Sequence, residues 1–118
     1  MPLNLLNFSL VDSPVTVEEG RKILERGNYC CQYCGLDGRA SFDNALTMRV
    51  DFIIPRARKG KKTPENLVAC CTPCNTIKGI KLFPSFNDAK VYVLAQREAL
   101  RKAWESKIAR PIAKAAKA

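Results

Sequence analysis

Two Cys-x-x-Cys pairs are the residues of this 118-residue chain whose types and spacing most directly imply chemistry. Each pair lets two thiolates converge on one cation from a tight turn, and two such pairs complete a tetrahedral site. Zinc is the natural occupant, because it accepts four thiolates without redox chemistry. The sequence therefore predicts a structural Zn²⁺ ion held by Cys31, Cys34, Cys71 and Cys74.

Two further cysteines, Cys30 and Cys70, stand one position before the pairs. Either could exchange into the site, but the Cys-x-x-Cys spacing selects the later cysteine of each doublet. The simpler interpretation of both is a buried apolar thiol. The cysteine spacing and the lack of a signal-peptide pattern argue against a secreted disulfide framework, so we expect a cytoplasmic protein. No segment approaches the roughly 18 apolar residues of a membrane span, and no membrane partner is expected.

The positive charge of the chain is concentrated in two segments. Twenty Lys and Arg residues stand against eleven Asp and Glu residues, which gives a net charge of +9 at pH 7. Residues 49–81 carry eight basic side chains against two acidic ones, and residues 97–118 carry seven against two, whereas residues 1–48 have a net charge of −2. A solvated face is the simpler interpretation of such runs. Because the charge clusters around one motif, we expect a nucleic acid as the partner.

Start and stop signals indicate which elements position these residues. Thr16 and Glu19 form a capping box that begins a helix, and Gly27 is the residue expected to end it. Residues 46–54 favour a β-strand that stops at Pro55. The residues of the first helix that are available for packing are Val17, Ile23 and Leu24.

Helical signals dominate the second half of the chain. Thr63-Pro64-Glu65 has the N-cap and first-turn proline of a short helical turn, and residues 74–78 begin another helix. Residues 85–88 begin a long C-terminal helix, Pro111 marks its end, and the simple Ala/Lys tail from Ile112 is expected to be flexible. The apolar residues that share one face of the long helix are Ala89, Tyr92, Val93, Leu100, Ala103 and Trp104.

The segments "CQYCG", "VDFIIPRARKG" and "PENLVACCTPCNTIKG" together resemble the zinc-bearing HNH endonucleases over roughly Asn28 to Lys81. The resemblance implies an α+β fold, a small zinc-stabilised ββα-metal domain with an N-terminal helix and a long C-terminal helix. It divides the chain into an N-terminal segment and helix at residues 1–27, the HNH-like core at residues 28–81, and the C-terminal helix with its basic tail at residues 82–118.

The resemblance also implies roles for the matching residues. Asp51 and Asn75 would hold a divalent ion, Mg²⁺ or Mn²⁺, against a scissile phosphate, and Asn66 would orient the strand. Taken alone, each of these three has a plain alternative as a local cap or turn residue. The basic residues that would neutralise phosphates are Arg56, Arg58, Lys59, Lys61, Lys62 and Lys78.

Phe52 stands where the family has the histidine that acts as general base, and a phenyl ring cannot accept a proton. The chain contains no histidine. A positioned base contributes about 10²- to 10⁴-fold to the rate, while a metal can still activate water without it. Phe52 could be a core residue, since Val50, Phe52 and Ile54 alternate along the strand, or it could stack on a base. An introduced inactivating substitution is a third interpretation, although alanine or asparagine would be usual.

Three functions therefore remain. The leading one is an HNH endonuclease-like protein that binds DNA or RNA and is catalytically weak or inactive because Phe52 replaces the base. The alternative is an active metal-dependent endonuclease with an altered base. The retained residues that favour it are Asp51, Asn66 and Asn75. The third is a structural subunit of a larger nucleoprotein assembly, or a protein whose long helix meets a protein partner.

Overall fold

The computed structural model describes residues 15–109, so the helix end predicted at Pro111 and the tail predicted from Ile112 lie outside the described residues. Within this range, four α-helices and two β-strands follow one another in an order that ends β-β-α-α. Single 3₁₀ turns at Arg56–Arg58 and Pro64–Asn66 lie between the strands, and a π-helical turn at Glu105–Ala109 continues the last helix. The elements are α1 (Val17–Arg26), α2 (Phe42–Leu46), β1 (Met48–Phe52), β2 (Leu67–Cys71), α3 (Thr72–Lys78) and α4 (Phe86–Trp104).

The two strands form an antiparallel hairpin, and β2 continues directly into α3. Met48 pairs with Cys71 at one end of the ladder and Phe52 pairs with Leu67 at the other. The long connection between the strands, residues 53–66, carries the basic loop. Because side chains alternate along a strand, residues 51 and 52 face opposite sides of the hairpin. This β-β-α arrangement with four neighbouring cysteines confirms the predicted α+β fold class.

Helix α1 covers one side of the hairpin. Its predicted capping box is present, because the Thr16 side chain accepts from the Glu19 N–H while the Glu19 carboxylate accepts from the Thr16 N–H. Gly27 ends the helix as predicted. Ile23 and Leu24 are buried against the strands, whereas Val17 is exposed, which corrects the expectation that Val17 packs. Val17 is the first residue of α1 and lies about two turns before Leu24 on the same side, so its exposure reflects its place at the helix end.

Helix α4 packs on α3 on the other side of the hairpin. Ser85 caps it by accepting from the Asp88 N–H, as predicted, and Ala89 and Val93 are fully buried. The apolar face predicted for the whole helix is buried only in its first half. Leu100 and Trp104, in the second half, are exposed. The reason is length: α3 has 7 residues and α4 has 19, so α4 extends beyond its neighbour.

The buried core surrounds the cysteines. Its largest cluster joins both Cys-x-x-Cys segments to β2 and α4, and a smaller one joins α1 to the end of the hairpin where the connecting loop begins and ends. Helix α2 was not predicted, although Ser41 caps it by accepting from the Asn44 N–H. Among the described residues, no helix is long and apolar enough to cross a membrane.

Candidate functional site

The four predicted cysteines form one cluster. The Sγ atoms of Cys31, Cys34, Cys71 and Cys74 all lie within 4.8 Å of one another. Cys34 Sγ lies 3.7 Å from Cys71 Sγ, and a tetrahedral zinc site with bonds of about 2.3 Å places its sulfurs roughly 3.8 Å apart. The donor set and spacing fit a metal ion such as zinc. Cys30 and Cys70 are not members of this cluster, as the spacing predicted.

Local backbone structure brings the two halves of the cluster together. Cys31 N–H donates to the Leu36 carbonyl at 2.8 Å and Gly35 N–H donates to the Cys31 carbonyl at 2.9 Å, which closes a tight turn around the first pair. Gly35 has a φ of +83°, a conformation that glycine adopts without strain. The second pair spans the end of β2 and the first turn of α3, where Pro73 costs no hydrogen bond.

The thiols of the cluster differ in pKa. The Cys71 thiol donates to Cys31, and this bond, helped by nearby backbone N–H groups, lowers the pKa of Cys31 to about 4 despite its burial. Burial raises the pKa of Cys74 to about 12. Arg97 of α4 lies beside the cluster, with Nη1 at 3.6 Å from Cys74 Sγ. An arginine in this position offsets the negative charge of four metal-bound thiolates.

Asp51 lies inside the protein in a buried triad with Tyr33 and Lys78. The Tyr33 hydroxyl donates to Asp51 Oδ2 at 2.5 Å, and Lys78 Nζ lies 3.5 Å from Asp51 Oδ1. Asp51 is 5% exposed and Lys78 is 0% exposed. Burial raises the pKa of Asp51, and the contacts with Tyr33 and Lys78 partly oppose that rise. Tyr33 was missed from the sequence, where it stands only as a spacer within the first Cys-x-x-Cys pair.

This arrangement does not fit a divalent ion at Asp51. Mg²⁺ requires near-octahedral oxygen coordination and usually keeps several waters, whereas both carboxylate oxygens of Asp51 already accept from buried protein groups. Asn75 lies half-buried on α3, and within residues 15–109 no hydrogen bond engages its side chain. The two residues predicted to share a cation are therefore differently placed: Asn75 is accessible and Asp51 is enclosed.

Asn66 is a positioning residue for the basic loop. Its Oδ1 accepts from the Ile54 N–H at 2.8 Å, and its Nδ2 donates to the carbonyls of Ile54 at 3.1 Å and Lys61 at 2.9 Å. These bonds tie both ends of the loop to the start of β2. The role of Asn66 in orienting the strand stays a prediction.

Phe52 faces the opposite side of the hairpin from Asp51. Its side chain is 7% exposed and packs with Ile23 of α1 and Leu67 of β2. The Arg56 guanidinium lies over the ring, 6.0 Å from its centroid. Of the two interpretations of Phe52, the structure matches core packing, because a ring enclosed on both sides offers no face to a base.

The basic residues predicted for phosphate contact divide into three groups. Arg56, Lys59 and Lys61 are exposed on the loop. Arg58 is exposed but donates to the Ile80 carbonyl, and Lys62 pairs with Glu19 at 3.1 Å. Lys78 does not belong to this surface: it lies in the core, which corrects its prediction as an accessible phosphate-binding residue. Its side chain is fully buried, and its ammonium contacts Asp51 and the Phe52 carbonyl of β1.

Comparison with known proteins agrees with this fold and site. A family model for the HNH endonuclease matches residues 31–81. Residues 31–81 are therefore similar to the HNH endonucleases. One relative is the CRISPR-associated endonuclease Cas9 of Corynebacterium diphtheriae, which is 44% identical over 57 residues, covering 48% of this chain. The matched part is 5% of that relative's length. No solved structure matches the chain.

The cysteine cluster predicts a tightly bound metal that depends on all four ligands. We expect one metal ion per chain by elemental analysis, with loss of the ion and of cooperative thermal unfolding in Cys34→Ser and Cys74→Ser, because binding free energy at such a site is folding free energy. Cys30→Ser is the matched control and should keep the ion. A wild-type chain that is folded without metal, or a Cys30→Ser variant that loses it, would contradict the ligand assignment.

Proposed function

We propose that the protein is an HNH endonuclease-like nucleic-acid-binding protein with a structural zinc ion, and that it is catalytically weak or inactive. The single observation that carries the proposal is the identity and burial of the side chain at position 52. The side chain there is a buried phenyl ring that packs on α1 and lies beneath Arg56. It cannot take a proton from an attacking water, and the chain has no histidine that could replace it.

Zinc is the metal best suited to the four cysteines, since four thiolates in a tetrahedral arrangement are its preferred structural site. When bound, it supplies a cross-link between distant parts of a small chain. The four cysteines would then hold the first Cys-x-x-Cys turn against the end of β2 and the start of α3. Arg97 balances the thiolate charge from α4.

The proposed nucleic-acid surface is the loop between the strands. Arg56, Lys59 and Lys61 extend from it into solvent, and Asn66 fixes its path from below. Such groups contact phosphates and position a nucleic acid without reading its bases. The loop therefore supports binding to DNA or RNA with little dependence on sequence and a strong dependence on salt.

A slow metal-dependent endonuclease with an altered base is the second candidate. The accessible side chain of Asn75 favours it, because that amide is free to approach a phosphate or a cation from the outside of α3. The name of the relative, an endonuclease, also favours it. Loss of the base reduces the rate by about 10²- to 10⁴-fold without abolishing metal-assisted hydrolysis. The position of Asp51 opposes this candidate, since its carboxylate is enclosed.

The third candidate, a structural subunit of a nucleoprotein assembly, rests on the second half of α4. Leu100 and Trp104 are exposed there, and Trp104 is 52% accessible. The HNH segment makes up a small part, 5%, of the relative that it matches. A cytoplasmic location suits binding to nucleic acid and the reduced cysteines.

Removing charge from the loop should weaken binding and reduce its salt dependence. For Lys59→Gln with Lys61→Gln, we expect lower affinity for DNA or RNA. The slope of log K against log salt should be flatter by about 0.7 to 0.9 for each phosphate that the variant no longer neutralises. Fluorescence anisotropy with labelled duplex DNA, single-stranded DNA and RNA over a salt series provides the measurement.

The matched control is Lys102→Gln with Lys107→Gln, which removes the same charge from the C-terminal segment. It should lower the affinity less and leave most of the slope unchanged. If the control variant alone flattens the slope, the C-terminal segment is the binding surface. If wild type binds no nucleic acid at low salt, the proposed function is wrong.

Phe52→Leu should separate packing from base stacking. Because the ring is a core residue, the substitution should cost about 0.5 to 3 kcal/mol of unfolding free energy and leave nucleic-acid affinity almost unchanged. A ring that stacked on a base would contribute about 1 to 3 kcal/mol to binding. Affinity for single-stranded DNA and the denaturation midpoint are measured on the same preparation. A loss of affinity in a stably folded Phe52→Leu variant would show that the ring contacts nucleic acid.

A further inference from the structure

Lys78 is the most unusual charged residue of the described chain, because its side chain is fully buried. Burying an ammonium group is costly unless nearby acceptors replace its water. Here the replacements are the Phe52 carbonyl oxygen at 3.0 Å and Asp51 Oδ1 at 3.5 Å from Nζ. The ammonium is thus held by one main-chain oxygen and one carboxylate oxygen of β1.

These acceptors are also the ligand types that a hard divalent ion prefers. We propose that the Lys78 ammonium takes the place of a divalent cation beside Asp51, so that the protein binds no Mg²⁺ or Mn²⁺ there. The proposal deepens the proposed function, on which it rests, by giving a second reason, independent of Phe52, for weak catalysis. A lysine ammonium offsets the carboxylate charge, but it has no open coordination position at which to activate a water.

The cysteine cluster helps to hold both partners of Asp51, Tyr33 and Lys78, in place. Cys74 and Lys78 are four residues apart on α3, so they lie on one face of that helix. Cys74 belongs to the cysteine cluster, and Lys78 belongs to the triad with Asp51 and Tyr33. Tyr33 lies between Cys31 and Cys34 and donates to the other oxygen of Asp51. The first Cys-x-x-Cys turn and the helix that begins at the second pair therefore each contribute one residue to the enclosure of Asp51.

Both carboxylate oxygens of Asp51 are already engaged by buried donors. Tyr33 is buried, with its hydroxyl at 2.5 Å from Asp51 Oδ2, and none of the buried side-chain polar atoms in residues 15–109 lacks a hydrogen-bond partner. A divalent ion would have to displace the ammonium and leave it buried without a carboxylate. That displacement is unfavourable, because separating a buried ion pair leaves an uncompensated charge.

The test is Mn²⁺ binding to the purified full-length chain with its cysteine site loaded. Isothermal titration calorimetry and electron paramagnetic resonance of Mn²⁺ are applied to wild type, Asp51→Asn, Lys78→Ala, Lys78→Met, and Lys78→Ala with Asp51→Asn. We expect no specific Mn²⁺ binding by wild type. Lys78→Ala should gain one Mn²⁺ site at least about 10-fold tighter than any wild-type binding, since it exposes an oxygen site suited to such ions. The added Asp51→Asn change should remove the gain.

Lys78→Met keeps the length of the side chain without its charge and should remain folded if the smaller variant does not. Retained zinc and a cooperative thermal transition verify the fold of each variant. Wild-type Mn²⁺ binding that Asp51→Asn abolishes overturns the proposal without any lysine variant, and so does a folded Lys78 variant that gains no Mn²⁺ site. Nucleic-acid affinity is measured separately, so failure of the proposed function and failure of this inference are distinguishable.

Discussion

The convergence of four cysteine sulfurs is the constraint on which the rest of the structure depends. A two-stranded hairpin with short helices on either side buries little apolar surface, and a structural metal is one way for such a unit to reach stability. The cluster ties the turn at residues 31–34 to the point where β2 becomes α3. Because α3 begins at this point, the same cross-link sets the direction in which α3 crosses β1 and the surface on which α4 packs.

The same geometry brings together the buried triad of Asp51, Tyr33 and Lys78. With α3 placed over β1, Lys78 reaches the Phe52 carbonyl and Asp51, and the first Cys-x-x-Cys turn brings Tyr33 to the same carboxylate. Removing one partner of a buried ion pair typically costs about 3 to 5 kcal/mol. The triad therefore joins β1, α3 and the cysteine turn through the Asp51 carboxylate. The other side of the hairpin is apolar, which is why position 52 can accept a phenyl ring.

Local signals in the sequence predicted the parts of the fold that depend on local chemistry. The Cys-x-x-Cys spacing predicted the ligands, and Thr16 with Glu19 predicted the start of α1, since each motif has its geometry within a few residues. Lys78 was predicted to contact phosphates because the resemblance to the HNH endonucleases implied that role. Its burial depends on how α3 crosses β1, which no local pattern records. The exposure of Trp104 likewise depends on the short length of the neighbouring α3.

Cleavage of a nucleic acid that is demonstrably bound tests the account most directly. Supercoiled plasmid is incubated with excess wild-type protein at low salt in Mg²⁺ or Mn²⁺, and one half of each sample is analysed for complex formation while the other is deproteinised and analysed for nicked circles. The account predicts that all of the plasmid is bound and that nicking does not rise above the protein-free sample. Nicking that requires the divalent ion and disappears in Asp51→Asn would contradict it.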